Sequence, residues 1–119
     1  MSLLVHTYTR GPAGEMVFAD GPPGTEVVGP SSARAGIYGS ACVVALGARM
    51  LPSLLAGDVY AETAAELDAL EADCRLILDN LTHVATSVGR DPDFIADRIG
   101  NIAAAIARAR VANGGVVIW

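Results

Sequence analysis

From Leu67 onward, apolar residues recur at alternating steps of three and four: Leu67, Leu70, Cys74, Ile77, Leu81, Val84 and Val88. That spacing is one face of an α-helix, and Leu78 and Ala85 widen the stripe. Thr63-Ala64-Ala65-Glu66 in front of it reads as a capping box, in which the Thr63 hydroxyl accepts from the Glu66 amide and the Glu66 carboxylate accepts from the Thr63 amide. Gly89 supplies a left-handed stop. The pattern predicts one helix from about Ala64 to Val88, roughly 38 Å long at 1.5 Å per residue. A second helix follows at once. Asp91-Pro92 is an N-cap with proline at the first helical position. Ile95, Ile99, Ile102, Ile106 and Ala109 then step by four and three, and Asn113-Gly114-Gly115 ends the run. The short link through Gly89, Arg90 and Asp91 predicts antiparallel packing, stripe against stripe.

The first thirty residues carry a different pattern. Leu3 to Thr9 is rich in strand formers, Gly11-Pro12-Ala13-Gly14 is a turn, and Glu15 to Ala19 is a second short strand, which together predict a hairpin. Gly21-Pro22-Pro23-Gly24 breaks the chain before a third short strand over Thr25 to Val28. Tyr38 to Leu46 is apolar with small residues and predicts a short buried helix ended by Gly47, with a buried strand around Val43-Val44 as the alternative. Met50-Leu51 and Leu54-Leu55 read as loop residues covering the core. Val116-Val117-Ile118-Trp119 predicts a C-terminal strand joining the N-terminal sheet, with Trp119 buried in the core or against the sheet edge. The fold class that follows is α+β over a single domain, 1–119. It has a small, mostly antiparallel sheet of the N-terminal hairpin plus the C-terminal strand, packed with a long antiparallel helical hairpin and one short buried helix.

Composition narrows function by exclusion. An apolar fraction of 52% with only 18% charged residues excludes an intrinsically disordered chain. The formal net charge is −5, and all 8 basic residues are arginine. An acidic chain argues against binding nucleic acid or an anionic membrane surface, and the lack of lysine excludes Schiff-base and phosphate-loop lysine chemistry. The two cysteines, Cys42 and Cys74, form no disulfide framework; both are expected reduced and buried, which favours a cytoplasmic setting. No apolar run approaches the ~20 residues of a membrane span.

Candidate chemistry is thin. Cys42 with His6 or His83 has no signature of a thiolate pair. Asp79 and His83 stand one helical turn apart, but one such pair does not make a metal site. Gly36-Ile37-Tyr38-Gly39-Ser40 lacks the spacing of a phosphate-binding loop, so a glycine used for close helix packing is the reading expected there. A ligand pocket lined by Tyr8, Tyr38, Tyr60 and Arg49 is the least supported reading. No catalytic residue, metal or cofactor is therefore expected.

Charge distribution stands out more. From Asp58 to Asp97 there are ten acids and two arginines, a net of −8, whereas three arginines and no acid follow from Arg98 onward. The predicted outer helix face carries Glu62, Glu66, Asp68, Glu71, Asp73 and Asp79, with a Glu71–Arg75 pair at the favourable i, i+4 spacing; Asp91 and Asp93 extend it around the turn. These eight acids are the expected partner-binding residues, steering a basic protein electrostatically. The function expected is a non-catalytic protein-binding module of inhibitor type. In size, acidity and lack of a catalytic motif the chain is similar to the immunity proteins of bacterial toxin–immunity pairs, a likeness of size and charge only. The alternative is a homo-oligomer, a homodimer built on Leu78, Trp119 and the Met50–Leu55 stretch.

Overall fold

A computed structural model describes all residues, Met1–Trp119. Five strands and four helices make the α+β architecture. The strands are β1 (Ser2–Arg10), β2 (Met16–Phe18), β3 (Val27–Pro30), β4 (Val59–Ala61) and β5 (Gly115–Ile118). The helices are α1 (Ala41–Ala45), α2 (Ala64–Asp79), α3 (Leu81–Val88) and α4 (Pro92–Ala112), with a π-turn at Arg34–Tyr38 and a 3-10 turn at Leu51–Leu55. Every strand pairing is antiparallel. Strand β1 is central: β5 lies on one side with β4 beyond it, while β2 and β3 share the other side.

Alternation along β1 divides the sheet into two faces. Leu3 and Val5 are buried on the helix-covered face, and the Thr7 hydroxyl donates to the Ala105 carbonyl of α4 at 2.8 Å. Ladder partners share a face, so Val116 and Ile118 of β5 and Val59 and Ala61 of β4 join them. Together with Leu67, Leu70, Cys74, Ile77 and the isoleucines of α4 they form one cluster of 25 buried residues. The Asn101 amide also donates to the Val27 carbonyl, tying α4 to β3.

The expected long helix is interrupted. Asn80 adopts φ −121°, ψ 29°, between α2 and α3. Its side-chain amide donates to the Leu76 carbonyl, the acceptor its own backbone N–H would use in an unbroken helix. That N–H turns to Ile77 instead. Asparagine competes with the helical ladder in this way wherever its short side chain reaches the preceding turn. Gly89 then ends α3 at φ 70°, a conformation that favours glycine.

The segment read as a Tyr38–Leu46 helix is also split. Residues Arg34–Tyr38 form the π-turn, and Ser40 caps α1 by accepting from the Val43 amide. Only Val43 of α1 is fully buried; Val44 is exposed and Cys42 half-buried, so this helix lies at the surface. Gly39 supports the packing role: a Cβ there would stand 2.4 Å from Leu55 Cγ. Leu51 and Leu54 are fully buried, so the 50–55 stretch feeds the core rather than an interface; Leu55 is its one exposed apolar side chain. Strand β4 (Val59–Ala61) is not among the elements the sequence pattern predicts.

Candidate recognition surfaces

The eight acids do not form one free band. Asp73 is buried, 3% exposed. Its carboxylate accepts from three consecutive amides, Arg49 (3.0 and 3.2 Å), Met50 (2.7 Å) and Leu51 (2.9 Å), and so closes the entry to the 3-10 turn. It cannot face a partner. Glu62 is paired with Arg10 at 2.7 Å. Asp68 and Glu71 both meet Arg110 of α4, at 2.9 and 3.4 Å. Glu71 thus pairs across to α4 rather than with Arg75. Glu66 completes the capping box, and Asp91 caps α4 by accepting from the Asp93 amide. Of the eight, Asp79 and Asp93 are exposed with neither an ion pair nor a capping bond.

Glu66 carries a pH consequence. The Thr63 and Glu62 amides that donate to its carboxylate hold its pKa below the ordinary range. A depressed folded-state pKa contributes stability that is present above the unfolded value near 4.3 and is lost as pH falls through the folded one. Glutamine can fill the same position of a capping box. Glu66→Gln should therefore fold normally and show a shallower loss of stability below about pH 4, a small effect because the group is exposed and screened. Urea denaturation at several pH values checks this; parallel acid limbs for the two proteins would contradict it.

At the end of the sheet, a cleft of about 420 Å³ is lined by Tyr8, Arg10, Glu62, Thr63, Asn113 and Gly114, among others. Close approach of the α4–β5 turn to β1 shapes it: a Cβ on Gly114 would come within 2.1 Å of the Tyr8 carbonyl oxygen. The Tyr8 hydroxyl is shut off from solvent and faces Glu62, short of a well-formed hydrogen bond. Burial, then the neighbouring carboxylate, raises the phenol far above its usual range. The Tyr8 hydroxyl and the Arg10 guanidinium hold Glu62 below the ordinary carboxylate range. Both shifts move away from neutrality, where an acid–base catalyst works best.

The other groups singled out from the sequence do not converge. Tyr38 donates to the Val28 carbonyl inside the core at 2.6 Å, Tyr60 is exposed on the sheet, and Arg49 borders a separate cleft beside Asp73. His6 pairs with Asp20, and His83 is exposed on α3. Asp79 and His83 fall on either side of the Asn80 break, and no group of three or more His, Cys, Asp or Glu side chains gathers to hold a metal. Cys42 and Cys74 are free thiols; burial pushes the Cys74 thiol up to about 12.

Sequence reasoning missed the second face of the sheet. The ladder aligns three rows on it: Leu4 with Trp119, His6 with Val117 and Tyr60, and Phe18 with Tyr8 and Gly115. His6, Phe18 and Trp119 are in mutual ring contact, with centroids 5.1, 5.9 and 6.1 Å apart. None of the side chains in these rows belongs to the main core cluster, although Tyr8 and Val117 are themselves buried. Phe18 and Tyr60 remain 47% and 45% exposed. Trp119 is half-buried here, on the face away from the helices.

No protein-family model, curated protein or solved structure matches the chain. No helix is long and apolar enough to cross a membrane.

Proposed function

We propose that this chain is a non-catalytic protein-binding module whose recognition surface is the open face of the sheet, centred on Phe18, rather than the acidic helix face. The observation that carries the reading is the contacting set of His6, Phe18 and Trp119, separate from the core and partly open to solvent. Aromatic side chains that bury large areas at little conformational cost are the usual anchors of protein interfaces. The acidic face supports docking less well, because Glu62, Asp68 and Glu71 already have guanidinium partners and Asp73 lies inside. Each such pair cancels locally part of the field that a basic partner could use. An inhibitor- or immunity-type role remains compatible with the proposal, but its contact surface would be apolar.

The test is capture of binding proteins from the source cell by three forms of the chain: wild type, Phe18→Ser, and Asp79→Asn with Asp93→Asn. Capture should fall about tenfold with Phe18→Ser, as for a moderate hot spot, and should survive high salt and the double Asn substitution. Loss in high salt and in the double variant, with Phe18→Ser unimpaired, would return the function to the acidic face.

A further inference from the structure

We propose that Asn113–Gly114 is a masked site of spontaneous deamidation, closed while the C-terminal end of α4 is formed and released when that end opens. The step needs only water. The Gly114 nitrogen gives up its proton and bonds to Asn113 Cγ, the bond from Cγ to the side-chain nitrogen breaks, and ammonia leaves. Water then opens the succinimide ring to aspartate or to isoaspartate. Sequence favours this asparagine over the others. Glycine in the following position leaves the attacking nitrogen unhindered, whereas Asn80 precedes Leu81 and Asn101 precedes Ile102.

The fold holds the reacting atoms apart. Asn113 is the one non-glycine residue at positive φ, with φ 55° and ψ 42°, a conformation that asparagine tolerates better than most residues. At that ψ the Gly114 nitrogen lies nearly opposite the Asn113 Cβ across the Cα–C bond. Ring closure needs the two eclipsed, close to half a turn away. The same nitrogen donates its proton to the Ala109 carbonyl at 2.8 Å, and the Asn113 amide donates to the Ala109 and Arg110 carbonyls. Attack therefore requires these bonds to break and the turn to rotate. Helix ends open more readily than the core they flank, and Val111, Ala112 and Asn113 are all exposed.

The product does not fit back into the turn. The Gly114 backbone lies directly against the Tyr8 carbonyl of β1. Gly115 beside it is buried, and a Cβ there would stand 2.9 Å from both the Ala61 carbonyl oxygen and the Tyr8 ring. Isoaspartate lengthens the main chain by a methylene at this point, where neither glycine has room to shift. Either product also adds a carboxylate at the negative end of α4, in the cleft that already holds Glu62, and an anion is disfavoured there. An opening that proceeds to reaction is thus retained as a weakened junction between α4 and β5.

Peptide-mapping mass spectrometry of the full chain aged in mildly alkaline buffer tests this. Conversion at Asn113 should run at least about tenfold slower in the folded chain than in the chain unfolded by guanidinium chloride, because the rate follows the fraction that is open. In the unfolded chain Asn113 should convert well ahead of Asn80 and Asn101. Asn113→Gly keeps a left-handed turn and removes the reacting amide, and its circular dichroism should match wild type. Wild type aged until Asn113 has converted should unfold at a lower temperature than fresh protein, while aged Asn113→Gly should unfold where the fresh variant does. Equal rates at Asn113 in the folded and unfolded chain would overturn the masking. Conversion no faster than at Asn80 in the unfolded chain would overturn the site itself. Aged wild type as stable as fresh, or a variant that loses as much on ageing, would overturn the consequence for the turn.

Discussion

Asp73→Ala should destabilise the fold by about 3–5 kcal/mol, although the residue comes from the middle of an acidic, apparently solvated sequence. The substitution removes the acceptor for the Arg49, Met50 and Leu51 amides at once. An amide left without a partner in a closed site costs about 1–3 kcal/mol. The Leu51 side chain that follows is fully buried and holds its place only while this turn is formed. Asp73→Asn keeps the shape and one acceptor oxygen but points an NH₂ group at the same amides, so it should fall between wild type and alanine. Thermal unfolding should register the alanine variant roughly 10–20 °C lower. A loss under 1 kcal/mol would mean that water replaces the carboxylate and that the turn is not anchored there.

Leu70→Ala should cost about 2–5 kcal/mol, whereas Leu78→Ala, eight residues further along the same helix, should cost less than about 1 kcal/mol. Leu70 is fully buried in the core cluster and Leu78 is 41% exposed. Truncating the first removes apolar burial and leaves a hole that neighbouring side chains fill only in part. Truncating the second mostly removes surface that water already touches. Urea unfolding of the two variants compares them directly. Equal losses would place the helix in a different rotation about its axis from that described here.

These predictions locate what the sequence made legible. The capping box at Thr63–Glu66, the proline-led start of α4, the stop at Gly89 and the strand nature of both termini were readable because each depends on a few neighbouring residues. The break at Asn80 was not, since the stripe Ile77, Leu81, Val84 continues through it and only the side-chain bond to Leu76 marks the interruption. Asp73 was misplaced on the outer face although a signal existed. It lies three residues after Leu70 and four before Ile77, on the buried side of the helix, and an acid there needs donors from elsewhere. Those donors sit more than twenty residues away in the chain, which no local pattern reports. The ion pairs that occupy Glu62 and Asp68 are equally non-local, with partners at Arg10 and Arg110. The open sheet face escaped notice for the same reason: His6, Phe18 and Trp119 come from opposite ends of the chain and meet only through the β2–β1–β5 ladder.

The most direct test of the account is a map of backbone amide shifts when labelled chain is titrated with a binding protein obtained by capture. The account predicts that the largest changes centre on His6, Phe18, Val117 and Trp119, while the amides around Asp79 and Asp93 stay still. Changes concentrated on α2 and the start of α4, with the sheet silent, would contradict it.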